Sequence, residues 1–223
     1  MRHRDGTVTD KIIERQLDFL GHAYNTVLNS VKELQFDSES PAHVLAIALH
    51  GTIVEPAAAC ISALNTGNII AVPILLRSMT EALVDQINLL TDAEYVKNIQ
   101  AANLKETERL LVQAGDESNV LLGRLRETLD VPKELQELRA QLEALRKEGH
   151  GELKVFERFR RAGMEFDYRS AYVLLCLDTH SNASALVERH VEKHGDRLEL
   201  SIFKEPRVNS IRARIDAVTA MLL

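Results

Sequence analysis

The chain has 223 residues and a mass of 25.0 kDa, and it is 45% hydrophobic and 27% charged. This composition is that of a globular domain and excludes collagen-like and intrinsically disordered chains. The formal charge of −6 argues against a generally basic nucleic-acid binder, although it leaves room for a local basic patch. Two cysteines, Cys60 and Cys176, are too few for a disulfide framework, and we expect both to be buried apolar residues.

The first residues of the chain contain no apolar core of the kind that marks a signal peptide. The most apolar stretch, residues 69–76, is far shorter than the roughly 20 residues that cross a membrane. We therefore expect a cytoplasmic protein with no membrane contact, in which the cysteines stay reduced.

Helical periodicity begins near the N-terminus. Apolar residues three and four positions apart predict one long helix from Thr9 to Leu34. Ser40 and Pro41 are typical of an N-cap and the first helical position, so a second helix begins there. We expect that helix to end near Gly67.

The middle of the chain predicts a helical hairpin. A third helix is expected at about 69–90, and Thr91 with Glu94 matches the capping box of a fourth. Residues 95–148 are the most highly charged part and predict a protruding hairpin arm. Its second helix carries leucines three and four positions apart. These leucines are Leu135, Leu138, Leu142 and Leu145. The arm either packs on its neighbours or docks a partner.

The C-terminal part changes period. A core helix is predicted at 167–180, and it continues at 183–194. Apolar residues then alternate, which predicts a short extended segment at 197–203 before a last helix from about residue 209. The whole pattern indicates an all-α bundle of about eight helices in a single domain, residues 1–223.

One group of charged residues lies on the second and third helices. Glu55 is the only acidic or basic residue between positions 41 and 76, apart from histidine. Arg77 and Glu81 are four residues apart and therefore share a helix face. These residues form either a solvated or structural ion pair, or a functional cluster.

A second group lies on the helix predicted at 167–180. Its spacing places Arg169, Tyr172, Cys176 and His180 near one face. His180 is either a partner of the helix C-terminus, where positive charge is favoured, or a general acid–base.

Other motifs are weak. The chain has no phosphate loop and no HExxH or ExxH pair, so we expect no metal and no cofactor. His190 and His194 lack further ligands, although they are four residues apart. The arginine–histidine spacing of HEPN-type ribonucleases occurs at Arg189–His194 and Arg15–His22. About two such matches are expected by chance, so they carry no information.

Two helical motifs resemble those of an uncharacterised bacterial family, domain of unknown function 5677. The first is Leu-Arg-Ser followed by a glutamate, at residues 76–81, and the second joins a tyrosine to His-Ser, at residues 172–181. The resemblance covers residues 45–191 and departs at Asn182, where a small residue or proline is expected. It implies an all-α fold in which four polar residues converge. These residues are Glu55, Arg77, Glu81 and His180.

The first function we consider is a site that acts on RNA, a nucleotide or another anion. Arg77 would hold a phosphate by bidentate contact, and His180 would be the general acid–base. Glu55 and Glu81 would orient Arg77, and Tyr172 would bind or orient the substrate. In its RNA form, this is a HEPN-like, metal-independent endoribonuclease. Nearby basic residues would add phosphate contacts. They are Lys154, Arg158, Arg160 and Arg161.

The second function is a non-catalytic interaction module. In this hypothesis the charged residues form a structural network, and the arm at 95–148 docks a protein partner. Under both hypotheses we expect a homodimer, because the apolar helix faces are many for one small bundle.

Overall fold

The computed structural model describes residues 8–179, 182–202 and 206–223, and it confirms the all-α class. The chain forms helices with one small hairpin of strands. The helices are α1 (Val8–Val31), α2 (Pro41–Thr66), α3 (Ala71–Thr91), α4 (Tyr95–Ala114), α5 (Gly123–Thr128), α6 (Val131–Lys147), α7 (Val155–Arg161), α8 (Glu165–Asp167), α9 (Val173–Thr179), α10 (Ala183–His190) and α11 (Val208–Ala220). Short 3-10 and π segments occupy Val120–Leu122 and Tyr168–Tyr172. The strands are β1 (Val191–His194) and β2 (Arg197–Leu200).

The ends of α2 follow the sequence prediction. The Ser40 side chain accepts a hydrogen bond from the backbone N–H of His43, at 3.4 Å, and so caps the first turn. Gly67 ends the helix with a φ of 76°, a left-handed conformation that favours glycine.

The apolar length of α2 differs from the prediction. By length and composition α2 is apolar enough to cross a membrane, whereas no such segment was expected. The prediction considered only an uninterrupted apolar run, but α2 mixes apolar residues with small and weakly polar ones. In the structure α2 packs against α1 and α3 through buried side chains. These are Ala42, Ala46, Ile53, Val54, Ala57, Cys60 and Leu64.

The main apolar core lies between α1, α2, α3 and α11. Leu20 of α1, Met79 of α3 and Val218 of α11 are fully enclosed in it. Cys60 of α2 is also buried there, and burial raises the pKa of its thiol to about 12. Cys60 is therefore the buried apolar residue that was predicted.

The predicted capping box at the start of α4 is wrong. The Thr91 hydroxyl instead donates to the Ile87 carbonyl at 2.8 Å and completes the last turn of α3. The turn before α4 is held by Asp92, whose carboxylate accepts from the Glu94 N–H at 3.0 Å. A threonine hydroxyl can donate to the carbonyl four residues before it or accept from a following N–H. The spacing of Thr91 and Glu94 alone therefore does not distinguish the last turn of α3 from a cap of α4.

The helical hairpin at residues 95–148 is confirmed. α4 and α6 lie antiparallel, since Lys97 pairs with Glu148 and Glu108 pairs with Arg139. The hairpin arm, α4 to α6, has an apolar cluster of its own, separate from the main core. The buried members of that cluster are Ala101, Leu111, Ala114, Val131, Leu138 and Leu142.

Glu108 joins the two long helices of the arm, and we expect it to titrate at an unusually low pH. Hydrogen bonds from Lys105 at 2.6 Å and Arg139 at 2.8 Å lower its pKa from 4.5 to about 2. Its contribution to stability is therefore complete above pH 4.5 and is lost as the pH falls through about 2. Carbon-detected NMR of the Glu108 carboxyl group measures the midpoint.

Arg139→Ala should move the Glu108 midpoint upward, because it removes one of the two donors. Lys133→Ala is the matched control, since Lys133 lies on the same helix but pairs with Glu137. A Glu108 midpoint at the ordinary value in the wild-type protein contradicts this prediction.

The predicted core helix at 167–180 is interrupted. α8 and α9 are separated by the π segment, in which the turn is widened by one residue. The residues after the widened turn are rotated relative to those before it. His180 and Ser181 lie outside the described residues.

The helix predicted at 183–194 ends at His190 instead. Residues 191–194 form β1, which pairs antiparallel with β2 across a turn at Gly195, where φ is 62°. Asn182 caps α10, because its side chain accepts from the Ser184 N–H at 2.9 Å. This cap gives a physical reason for asparagine at the position where the family resemblance predicted another residue.

Candidate functional site

The polar face of α3 is built from residues that repeat at helical spacing. Arg77, Glu81, Asp85 and Asn88 are successive members of this face. α7 and α9 pack against α3, and Tyr172 of the π segment reaches this face through its hydrogen bond to Glu81. The face is therefore covered in part rather than fully solvated.

Glu81 lies at the centre of the site. Its Oε1 atom accepts a hydrogen bond from the Tyr172 hydroxyl at 2.7 Å and another from Arg77 Nε at 3.2 Å. Its Oε2 atom is 3.7 Å from Nη1 of Arg158. One carboxylate thus connects α3, the π segment and α7.

Arg158 is bound mainly to Asp85. Its Nε atom donates to Oδ1 at 2.8 Å and its Nη2 atom to Oδ2 at 2.5 Å, which is the bidentate arrangement that arginine favours. Tyr95 donates a further hydrogen bond to Asp85 at 2.7 Å. Burial acts to lower the pKa of Arg158, but the charge and hydrogen bond of Asp85, with the charges of Tyr95 and Glu81, together outweigh burial and raise it.

Tyr172 is held by aromatic neighbours. Its ring centroid is 4.8 Å from that of Phe159 and 5.5 Å from that of Tyr168. Only 4% of Tyr172 is exposed. Burial, followed by the hydrogen bond to Glu81, raises the pKa of its hydroxyl, so Tyr172 stays protonated and donates to the carboxylate.

Arg77 lies at the outer edge of the site. About a quarter of its side chain is exposed, and its guanidinium carbon is 5.8 Å from the Tyr172 ring centroid. The hydrogen bond with Tyr172 is the largest cause that raises the pKa of Arg77, and Cys176 also contributes electrostatically. Cys176 is half-buried rather than buried, so its prediction as a buried apolar residue is wrong.

The structure brings together three of the predicted site residues, Arg77, Glu81 and Tyr172. Glu55 is exposed on α2, and it forms no hydrogen bond or ion pair with any residue that the structure describes. His180 lies outside the described residues, directly after the end of α9. Arg77 is thus oriented by Glu81 and Tyr172.

Sequence analysis missed the role of Asp85 and Arg158. Asp85 continues the face of Arg77 and Glu81 by one turn, and this spacing was the available signal. Arg158 was expected to contact phosphate, but it is committed to Asp85. Arg169 was predicted to share a helix face with Tyr172, but the structure places it elsewhere. It pairs with Glu165 and is largely exposed, because the π segment changes the helical phase.

The predicted basic patch is smaller than expected. Arg161 of α7 pairs with Asp92, in addition to the Arg158–Asp85 pair. Within residues 8–179, no ion pair engages Lys154 or Arg160. These two residues are the remaining sources of local positive charge on this side of the site.

The weaker histidine motifs do not form sites. His190 ends α10 and His194 ends β1, so they do not share a helix face. Arg189 is directed to Asp178, with a distance of 3.7 Å to its carboxylate, while His194 lies 3.4 Å from Glu192. In the part of the chain that the structure describes, no three His, Cys, Asp or Glu residues are grouped as metal ligands.

The protein is therefore a helical bundle in which Arg77, Glu81 and Tyr172 meet at the polar face of α3. The chain belongs to the family of unknown function DUF5677, whose model matches residues 43–198. The family resemblance found in the sequence is therefore confirmed. Comparisons with curated proteins and with solved structures gave no match.

Proposed function

We propose that this protein binds a phosphate-containing ligand at Arg77 and acts on RNA there, with His180 as the general acid–base. The observation that carries the proposal is the shared Oε1 atom of Glu81, which accepts from both Arg77 Nε and the Tyr172 hydroxyl. This contact fixes the plane of a partly exposed guanidinium before any ligand binds. Such preorganisation favours bidentate recognition of phosphate oxygens.

The sequence supports His180 as the second functional group. It follows α9 directly in the sequence, and Cys176, four residues earlier, lies within electrostatic reach of Arg77. In the proposed reaction, His180 takes the proton from the RNA 2′-hydroxyl, whose oxygen attacks the adjacent phosphorus. The bond to the 5′ oxygen breaks, and that oxygen receives the proton from His180. Arg77 stabilises the charge on the phosphoryl oxygens.

An RNA-cleavage assay in EDTA tests the proposal. Purified wild-type protein should cleave cellular RNA, and Arg77→Ala and His180→Ala should each lower the initial rate by about 100-fold or more. Arg169→Ala is the matched control. It removes an exposed arginine from the neighbouring π segment and should leave the rate unchanged. Urea denaturation of every variant separates loss of activity from loss of folding.

If the RNA stays intact with the wild-type protein, the proposed ribonuclease activity is contradicted. Anion binding is then measured separately, by the fluorescence anisotropy of a labelled RNA oligonucleotide. Arg77→Ala should raise the Kd by about 10- to 100-fold, which corresponds to one charged hydrogen-bonding group. An unchanged Kd contradicts the whole anion site.

A second candidate function is a helical interaction module, and the tip of the arm favours it. The Arg126 guanidinium donates to the backbone carbonyls of Ala114, Asp116 and Asn119, at 3.1, 3.0 and 3.0 Å, and fixes the loop between α4 and α5. Val120 and Leu121 of this loop are 82% and 91% exposed. If Arg77→Ala and His180→Ala both destabilise the protein by several kcal/mol, the charged network is structural and this candidate is favoured.

A further inference from the structure

Among the residues that the structure describes, no further strand pairs with the small β-hairpin, and its apolar face is exposed. Every residue of β2 is exposed, and Leu198 and Leu200 are 73% and 72% exposed. Ile202, the next residue in the alternation, is 68% exposed. A free apolar strand edge of this kind is a template for pairing with another strand.

The hydrogen-bonding direction of β2 shows which residues face the open edge. Ser201 donates its N–H to the His190 carbonyl at 2.8 Å, which extends the register of β1 and β2. Backbone groups alternate in direction along a strand, so Arg197 and Glu199 also face β1. The N–H and C=O groups of Leu198 and Leu200 therefore point to the open edge.

We propose that β2 is a dimerisation strand, on which a second copy of this chain adds its own β2 in antiparallel orientation. The two-fold axis passes through Leu198, and a four-stranded sheet results. Arg197 of each copy then lies opposite Glu199 of the other copy, so the pairing creates two ion pairs. Since Leu198 faces itself as a hydrogen-bonded pair, these charged residues occupy the non-hydrogen-bonded positions, where side chains are closest.

The charges of the strand select this register. Arg197 forms no ion pair with any described residue of its own chain, and Glu199 is 72% exposed. An axis through Glu199 would place two glutamates directly opposite each other, which is unfavourable. An axis through Leu200 would leave Arg197 without an acidic residue opposite it.

The apolar residues also support a second copy. Leu198 and Leu200 lie on the same face of the hairpin as Val191, because Leu200 is the register partner of Val191. Joining two hairpins places Leu198 directly opposite Leu198 of the second copy, and Leu200 and Val191 lie on the same face of the resulting sheet. A two-stranded hairpin alone is marginally stable, whereas four strands with a shared apolar face are sufficient for a stable sheet.

Charge reversal tests the interface in the full chain, with analytical ultracentrifugation as the measurement. Arg197→Glu and Glu199→Arg each replace two attractive pairs with two repulsive ones, so each should raise the dimer Kd by about tenfold or more. The double variant Arg197→Glu/Glu199→Arg restores opposite charges and should return the Kd to within about threefold of wild type. The two single changes alter net charge in opposite directions, so a general charge effect would not weaken both.

A disulfide experiment tests the register itself. Under oxidising conditions Leu198→Cys should form a covalent dimer, because the axis places residue 198 opposite itself at a Cα distance of about 5.5 Å. Leu200→Cys is the matched control. The wild-type protein controls for crosslinking through Cys60 and Cys176. Neither control protein should form a covalent dimer. A wild-type protein that is monomeric at all concentrations, a Kd insensitive to both single reversals, or crosslinking through Leu200→Cys instead would overturn the proposal.

Discussion

Phe159→Ala is expected to lower the free energy of unfolding by about 4 kcal/mol, the largest effect that we anticipate for any single substitution near the site. Phe159 is fully buried, and its ring lies 5.3 Å from that of Tyr168 and 4.8 Å from that of Tyr172. Removing the ring loses its transfer free energy and leaves a cavity between α3, α7 and the π segment. Urea denaturation followed by circular dichroism measures the loss.

Phe156→Ala is the matched control for this prediction. Phe156 lies one turn earlier on α7 and is only half-buried, so we expect about half the loss or less. A loss below about 2 kcal/mol for Phe159→Ala would show that the aromatic cluster does not hold the site together.

Arg158→Ala should cost about 3 kcal/mol, the second largest effect. The substitution leaves Asp85 and Glu81 close together without the cation that lies between them. The Asp85 side chain is only 16% exposed, so water replaces the lost partner incompletely. The change is measured by urea denaturation at neutral pH.

Arg160→Ala provides the comparison for Arg158→Ala. It removes the same side chain from an exposed position of the same helix and should change stability by less than about 0.5 kcal/mol. A double-mutant cycle with Asp85→Asn isolates the ion pair, and we expect a coupling energy of about 1–3 kcal/mol. A coupling energy near zero would mean that the Arg158–Asp85 pair orients these side chains without stabilising the fold.

The helices and their limits were largely predictable because their signals are local. Ser40 and Gly67 were identified as the ends of α2 from their residue types, and the structure shows the cap hydrogen bond and the positive φ. The leucines of α6 were predicted to form a seam, and Leu138 and Leu142 are buried in the arm. Each of these features depends on residues within a few positions of each other.

Features that depend on distant residues were not predictable in the same way. Arg158 and Asp85 are 73 positions apart, so no spacing rule connects them. The π segment adds one residue to a turn without any change of composition, and this shift separates Arg169 from Tyr172. Residues 191–194 continue the helical spacing of α10, but pairing with β2 makes them a strand. Tertiary contacts decided each of these cases.

The separate apolar cluster of the arm has a consequence for how the protein opens. Its side chains pack among α4, α5 and α6 and do not enter the main core, so the two clusters share few contacts that would make them melt together. Opening of the arm beyond Ala101 then exposes its own leucines, while Tyr95 at the start of α4 keeps its hydrogen bond to Asp85 of α3. The arm is therefore a separate cooperative unit. It opens more often than the bundle that carries the site.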